Sequence, residues 1–325
     1  MTSAENRLTP IPIDQALGLC DLISLAFRIW RKNLKLIFKA LITPTVLYFV
    51  SVSVLQWCVS YGFKAGFGMA AVSIGLVIVS ALVYLFALMF MALRQIALLR
   101  YLTGFSSTWE KAEAFAKSRW LWLLGLTGVT VTVSGVLIGV WVCVMVLSAV
   151  VSAKSAAVGG IFAAVGIFVG MIGFFISLMF IGLLSVMGFS VLSCEEDSFF
   201  GLIGRTFHWT FKYFGRVMAF SCVFYIVFSI VTIPVSIPVV FASVADVAIR
   251  QAQGTYSSDS ELSLGVLIFV QAWEAVTGLL LRPVTLLCFG LFYLDLRQRA
   301  EGLDIVRRLN LLKAAQGAEN EPSGR

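Results

Sequence analysis

The chain has 325 residues, of which 60% are hydrophobic and only 13% are charged, and its formal net charge is +7. Soluble domains carry about 45–50% apolar and about 25% charged residues, so the composition excludes an ordinary water-soluble globular protein and indicates a lipid environment. The basic residues are distributed along the ends of apolar runs, which argues against nucleic acid as a partner.

Six apolar runs are long enough to cross a bilayer, since a spanning helix needs about 20 such residues. They lie at 36–60, 68–93, 120–151, 156–192, 216–244 and 264–294. We predict an all-α integral membrane protein whose six transmembrane helices form three hairpins, each preceded by a cytoplasmic amphipathic interfacial helix. The predicted organisation is an N-terminal tail (1–13), a single transmembrane domain (14–313) and a disordered C-terminal tail (314–325).

The segments before the hairpins have helical periodicity. In residues 14–35, apolar side chains occupy one helix face and basic side chains the other, which is typical of a helix in the membrane interface. Before the second hairpin, Ser107 and Glu110 fit a capping box with the serine as cap. Before the third, five apolar residues share one helix face, opposite Arg205, His208 and Lys212: Phe199, Ile203, Phe207, Phe211 and Phe214.

The same order occurs three times: an interfacial helix, an aromatic and basic elbow, and a hairpin. The elbows lie at 27–32, 115–120 and 211–216. Any cytoplasmic membrane edge is aromatic and basic, so the likeness fits either an internal repeat or ordinary interface chemistry. If the repeat is real, the three hairpins pack into one bundle and the three interfacial helices form a cytoplasmic collar.

The basic residues also predict the orientation. Of the 24 Lys and Arg residues, twenty lie on the side that we assign to both termini, three lie on the opposite side, and Arg282 lies within a span. The positive-inside rule then places both termini in the cytoplasm of a multi-pass protein of the bacterial inner membrane. We expect a basic interfacial collar that binds anionic lipid headgroups: Arg28, Arg31, Lys32, Lys117, Arg119, Arg205, Lys212 and Arg216.

Glu274 and Arg282 are the charges deepest inside an apolar run. A charge at membrane depth costs about 2.5–3.5 kcal/mol on insertion scales, so such residues tend to be paired or functional. Their eight-residue separation corresponds to about 12 Å of helical rise, too far for a one-turn ion pair. Two interpretations stay open. Either Arg282 snorkels and Glu274 lies near a polar groove with Gln271, or these residues line a functional polar cavity.

Two small-residue pairs occur in the third and fourth spans, Gly135 with Gly139 and Gly166 with Gly170. Small residues four apart let transmembrane helices approach closely. We interpret both pairs as packing surfaces within the bundle.

No catalytic constellation is recognisable. His208 is the single histidine, no phosphate-binding Gly-rich loop with a lysine occurs, and the cysteines lack metal-ligand spacing. We therefore expect a non-enzymatic protein without cofactor or metal. The favoured function is a scaffold or accessory subunit that engages anionic lipids, a membrane protein partner or a second copy. The alternative is a small transporter or channel that uses Glu274 and Arg282, and a lipid enzyme is the least favoured.

The last span ends in residues 293–304, whose charged members include both signs. Asp295 and Arg299 are four residues apart, as are Arg297 and Glu301, so each pair could lie on one helix face. Gly302 is placed to end the helix before Asp304. We predict that this exit motif anchors the last span to the collar: Asp295, Arg297, Arg299, Glu301, Gly302 and Asp304.

This ending resembles the YxDLRxRxEGxD ending of an uncharacterised bacterial family of six-span membrane proteins. The family is similar to the membrane domain of some glycerophosphoryl diester phosphodiesterases. Residues 22–36 look like the opening helix of that group and residues 198–217 like its middle one. The resemblance implies the six-span layout. The catalytic barrel of those phosphodiesterases has no counterpart in this sequence, so no catalytic role is implied.

Overall fold

The computed structural model describes residues 17–64, 70–154, 159–253 and 263–301. The described part is helical, with nine helices: α1 (Leu19–Lys32), α2 (Leu34–Lys64), α3 (Ala70–Leu102), α4 (Trp109–Ser118), α5 (Trp120–Lys154), α6 (Gly159–Cys194), α7 (Phe199–Lys212), α8 (Phe214–Ala252) and α9 (Leu264–Glu301). The predicted terminal tails, Gly302 and Asp304 lie outside the described residues.

Six of these helices, α2, α3, α5, α6, α8 and α9, are long and apolar enough to cross a membrane. The shortest has 31 residues, or about 46 Å at 1.5 Å per residue, and exceeds a hydrocarbon core of about 30 Å. In the apolar window of α5, no residue is buried within the protein. Apolar surface on this scale needs lipid as its solvent. The predicted fold class is confirmed, and the chain is a polytopic membrane protein.

Each long-helix hairpin follows a short helix after a break of one residue. These breaks fall at Asn33, Arg119 and Tyr213. Asn33 (φ −110°, ψ 17°) and Tyr213 (φ −111°, ψ 28°) have nearly the same backbone conformation. The N–H of each still donates to the carbonyl four residues back, at 3.0 and 3.2 Å. Arg119 and Tyr213 lie inside the second and third predicted elbows, and Asn33 directly follows the first elbow.

Two spans extend further than the sequence predicts. α3 continues to Leu102 and α8 continues to Ala252. The apolar runs in the sequence predict that these two spans end at residues 93 and 244. Asp246 and Arg250 suggest a polar loop, but they pair at 3.2 Å one helical turn apart and so favour continued helix. The predicted end of the fifth span at residue 244 is therefore wrong.

Two of the three short helices, α4 and α7, are capped by hydroxyl side chains, whereas α1 begins after Gly18 without a side-chain cap. The Thr108 hydroxyl accepts from Lys111 N at 3.4 Å, and the Ser198 hydroxyl accepts from Gly201 N at 3.3 Å. The predicted cap at Ser107 is wrong by one residue, because α4 begins at Trp109 and the residue before it takes the cap position.

The described helices form two compact units: Met1–Lys117 with Phe220–Arg325, and Ser118–Ala219. In the first, α9 contacts α1, α2 and α3. It also packs on α8, since the Phe220 and Phe292 rings stack with centroids 4.2 Å apart and Trp273 Nε1 donates to Val235 O at 2.7 Å. The prediction of one domain over residues 14–313 stays a prediction.

In the second unit, α5 and α6 pack along a row of α6 glycines. A Cβ added at Gly166 would lie 2.1 Å from the Ser148 hydroxyl, and one at Gly173 would lie 2.3 Å from the Trp141 ring. The glycines of α6 therefore let the two helices approach closely. Gly139 and its predicted partner Gly135 have no atom within 4 Å of an added Cβ, so this pair takes no part in the packing of α5 on α6.

The buried face of α7 differs from the apolar face identified in the sequence. Leu202, Thr206 and Trp209 are buried, whereas Phe211 is 59% exposed. Next to a lipid solvent, the outward face of a helix can be as apolar as the inward face. The five-residue apolar stripe therefore does not coincide with the packed face.

Candidate functional sites

A polar groove lies between α2 and α9, with a cavity of about 110 Å³. Its lining residues recur at helical spacing on the two helices: Thr45, Tyr48, Phe49, Val52 and Gln56 on α2, and Gln271, Glu274, Ala275, Gly278 and Arg282 on α9. This volume is enough for several water molecules, since one water molecule needs about 10–15 Å³ of accessible space. The groove brings together the three residues predicted as an intramembrane polar site.

Gln271 bridges α9 and α2 at one end of the groove. Its side-chain Nε2 donates to Gln56 Oε1, and its Oε1 accepts from the Ser53 hydroxyl at 2.8 Å. Polar side chains on transmembrane helices commonly form such hydrogen bonds across the helix interface. These contacts connect α2 and α9 and leave the groove itself open.

The guanidinium of Arg282 folds back along α9. Its carbon is 5.1 Å from the centroid of the Tyr48 ring, and Nη1 donates to the Met91 sulfur at 3.2 Å. A Cβ added at Gly278 would lie only 3.2 Å from Arg282 Nε. The missing side chain at Gly278 thus leaves room for the arginine to lie against the helix.

The carboxylate of Glu274 is exposed in the groove and makes no hydrogen bond or ion pair with another described residue. No ion pair joins it to Arg282 within the described ranges, as the eight-residue spacing predicts. The guanidinium of Arg282 contacts an aromatic ring and a sulfur atom, and neither carries a formal negative charge. The groove therefore contains one cation and one anion, each without a charged protein partner in the part of the chain that is described.

A basic patch covers the end of α1 and the start of α2. It consists of five exposed side chains: Arg28, Arg31, Lys32, Lys35 and Lys39. None of the five forms an ion pair with another described residue. An exposed apolar row begins beside them on α2 and continues at four-residue spacing through Phe38, Ile42, Val46, Val50 and Val54. Three members of the predicted collar thus form a continuous surface with two further lysines.

Other members of the predicted collar have partners inside the protein. Arg119 is 7% exposed, its guanidinium carbon is 3.7 Å from the centroid of the Trp122 ring, and Nη1 donates to Asp197 O at 3.1 Å. Arg205 pairs with Glu195 and Asp197, each at 2.8 Å. The assignment of Arg119 to a lipid-facing collar is wrong, because packing buries its side chain. The side chain of Arg205 is 39% exposed but already paired with two carboxylates, and its place in the collar stays a prediction.

The remaining collar residues differ from one another. Lys212 is exposed and lies 5.6 Å from the Tyr213 ring centroid, and Arg216 is half-buried. Lys117 is exposed but pairs with Glu113 at 2.9 Å, and Glu113 also pairs with Arg94 at 2.9 Å. The hydrogen bond from Lys117, followed by the charge of Arg94, lowers the pKa of Glu113 although partial burial opposes the shift.

The exit motif holds the start of α1. Asp295 is fully buried, accepts from Leu17 N at 3.1 Å and pairs with Arg299 Nε at 3.0 Å. Arg299 also donates to Leu17 O at 3.0 Å. The predicted pair of Asp295 and Arg299 is present and ties α9 to α1. Arg297 is half-buried, and the side chain of its predicted partner, Glu301, lies outside the described residues.

A similar arrangement occurs at the end of α8. Asp246 accepts from Ser263 N at 3.0 Å and pairs with Arg250, four residues later, at 3.2 Å. Each aspartate therefore binds the backbone just before another helix and is itself held by an arginine one turn away.

Sequence reasoning missed the α2 side of the groove. Tyr48 and Gln56 lie at helical spacing in the first apolar span, and Gln56 is polar, which was the available signal. The pairing of α2 with α9 is a tertiary contact that no spacing within one helix reveals. Lys35 and Lys39 are not among the predicted collar residues, although both are exposed beside them.

Comparisons with protein-family models, curated proteins and solved structures find no match to this chain. Among the described residues, no group of three or more His, Cys, Asp or Glu side chains is arranged to hold a metal ion. The functional interpretation therefore depends on the groove and the basic patch themselves.

Proposed function

We propose that this polytopic membrane protein is a non-enzymatic scaffold or accessory subunit whose basic patch binds anionic lipid headgroups. It would lie in the bacterial inner membrane with both termini in the cytoplasm. The observation that carries the proposal is the group of five exposed cations at 28–39, without charged partners in the described chain and next to an exposed apolar row.

The position of the patch favours lipid as its ligand. An exposed apolar row on a spanning helix faces acyl chains, so cations directly beside its end lie at headgroup level. Each basic residue near an anionic leaflet contributes about 1 kcal/mol of attraction. Three residues would then contribute about 3 kcal/mol, or roughly 100-fold in affinity.

Native mass spectrometry of the purified full-length protein, titrated with phosphatidylglycerol, tests this proposal. The triple variant Arg28→Gln, Arg31→Gln, Lys32→Gln should bind the lipid up to about 100-fold more weakly. A matched triple variant, Lys64→Gln, Lys111→Gln, Lys154→Gln, removes the same charge elsewhere and should bind like the wild type. Equal binding by both triple variants would exclude the basic patch as the lipid site.

A second candidate function is transport of a small solute or ion. It is favoured by the groove, where Glu274 and Arg282 line a cavity within the spanning part of α2 and α9. Proteoliposomes loaded with a pH-sensitive dye and given a potassium diffusion potential would reveal a proton flux. Transport through the groove predicts a flux that Glu274→Gln abolishes, whereas a flux equal to that of empty liposomes would exclude proton conduction.

We also propose that the chain belongs to the six-span family whose ending its exit motif resembles. The contacts of Asp295 and Arg299 with Leu17 give two residues of that motif a structural role. If the family shares this role, structures of its members should show the same aspartate and arginine of the last helix bonded to the backbone at the start of the first helix. Members that place these two side chains elsewhere would remove this support.

A further inference from the structure

The two charges in the groove lie on the same side of α9, and the side chain of Arg282 leans toward Glu274 along the helix. Arg282 folds back to the level of Gly278, which lies one helical turn, or about 6 Å of rise, from Glu274. Both side chains line the same cavity, yet no ion pair joins them. A ligand in this groove thus meets both a cation and an anion on one face of α9.

From this arrangement we propose that the groove binds the headgroup of a zwitterionic phospholipid, with the phosphate at Arg282 and the ammonium at Glu274. Guanidinium groups bind phosphate through paired hydrogen bonds, and an ammonium group is a strong donor to a carboxylate. A ligand with only one of these charges would leave the other side chain without a counter-ion. A primary ammonium with a phosphate one short linker away, as in phosphatidylethanolamine, matches both.

The surroundings of the groove favour a lipid over a soluble molecule that carries the same groups. The groove lies within the spanning segments of α2 and α9, and its walls include Phe49, Val52 and Ala275. Phe269 and Val276, on the opposite side of α9, are 40% and 50% exposed, so the helix that forms the groove also presents the kind of apolar surface that acyl chains cover. The proposal stands apart from the basic patch, and it holds whether or not a solute crosses through the groove.

Native mass spectrometry of the full-length protein in detergent tests the proposal with three additives: phosphatidylethanolamine, diacylglycerol with the same chains, and soluble phosphoethanolamine. The wild type should bind phosphatidylethanolamine most tightly. Glu274→Gln and Arg282→Gln should each weaken this binding by about tenfold or more, the effect of losing one hydrogen bond between charged groups. Glu110→Gln, which removes an exposed carboxylate from α4, should bind like the wild type.

The neutral variants should fold, because each removes a charge that has no charged partner in the described chain, and circular dichroism checks this. Gly278→Ala supplies a second test that keeps both charges, since its Cβ would push Arg282 Nε away from its present position. It should also weaken lipid binding. Wild-type binding by folded Glu274→Gln and Arg282→Gln proteins would overturn the proposal. Diacylglycerol bound as tightly as phosphatidylethanolamine, or displacement of the lipid by an equal concentration of phosphoethanolamine, would overturn it as well.

The proposal for the basic patch and the proposal for the groove can be refuted independently of each other. The triple variant at 28–32 tests anionic lipid at the basic patch, and it leaves the groove unchanged. Loss of phosphatidylglycerol binding in that variant, together with unchanged phosphatidylethanolamine binding, would support two distinct lipid sites.

Discussion

Replacement of Asp295 by alanine should detach α1 from α9. The carboxylate is fully buried, accepts from Leu17 N at 3.1 Å and pairs with Arg299 at 3.0 Å. A hydrogen bond to a charged group contributes about 1.5–3 kcal/mol, and alanine at this position removes both contacts while Arg299 keeps its bond to Leu17 O. Because the Arg299 side chain is 33% exposed, water can replace part of its interaction. We therefore expect Asp295→Ala to lower the free energy of unfolding by about 3 kcal/mol.

Two measurements check this expectation. Reversible unfolding in mixed detergent micelles gives the change in the free energy of unfolding. Limited trypsin digestion reports on α1 itself, since Arg28, Arg31 and Lys32 are exposed cleavage sites on a helix that should resist cleavage while it is docked. Cleavage at these three sites should be faster in Asp295→Ala than in the wild type.

Asp246 offers a matched control, because it makes the same two kinds of contact with Ser263 and Arg250 at the end of α8. Asp246→Ala should leave trypsin cleavage in α1 unchanged. A change of less than about 0.5 kcal/mol in Asp295→Ala, the range of an ordinary surface substitution, would refute the reasoning if the cleavage rate were also unchanged.

Three further predictions concern packing, pH and capping. Gly173→Val should destabilise the protein by about 1–3 kcal/mol in detergent unfolding, because its Cβ meets the Trp141 ring, whereas Gly139→Ala should cost nothing. The pKa of Glu113 is depressed in the folded protein, so its stabilisation is complete above pH 4.5 and is lost as the pH falls through the lowered pKa. The stability difference between wild type and Glu113→Gln should disappear over that range, and a constant difference would contradict it. Thr108→Ala should reduce stability by about 0.5 kcal/mol, the low end for a helix cap, while alanine at the preceding serine should have no effect.

The sequence was sufficient for the number of spans and for their grouping with short helices. Both depend on long apolar runs bounded by basic and aromatic residues, and lipid imposes that pattern directly on the chain. Helix ends were less predictable. The fifth span does not end at 244, where charged residues begin, because Asp246 and Arg250 pair within the helix and extend it to Ala252.

The packed faces could not be obtained from hydrophobic periodicity alone. On α7, Thr206 and Trp209 are buried while Phe211 faces outward, because lipid accepts an aromatic ring as readily as the protein interior does. For the groove, Glu274, Gln271 and Arg282 stood out as polar residues in an apolar run. Their partners Tyr48 and Gln56 did not, since only the tertiary pairing of α2 with α9 places them there.

The orientation of the chain in the membrane is the claim on which the basic patch most depends. A green fluorescent protein fused after residue 320 folds only in the cytoplasm, and an alkaline phosphatase inserted between residues 257 and 258 is active only in the periplasm. The account predicts a fluorescent C-terminal fusion and an active phosphatase insertion. A dark C-terminal fusion with an active phosphatase at residue 320 would place the patch on the outer face and contradict the proposed role.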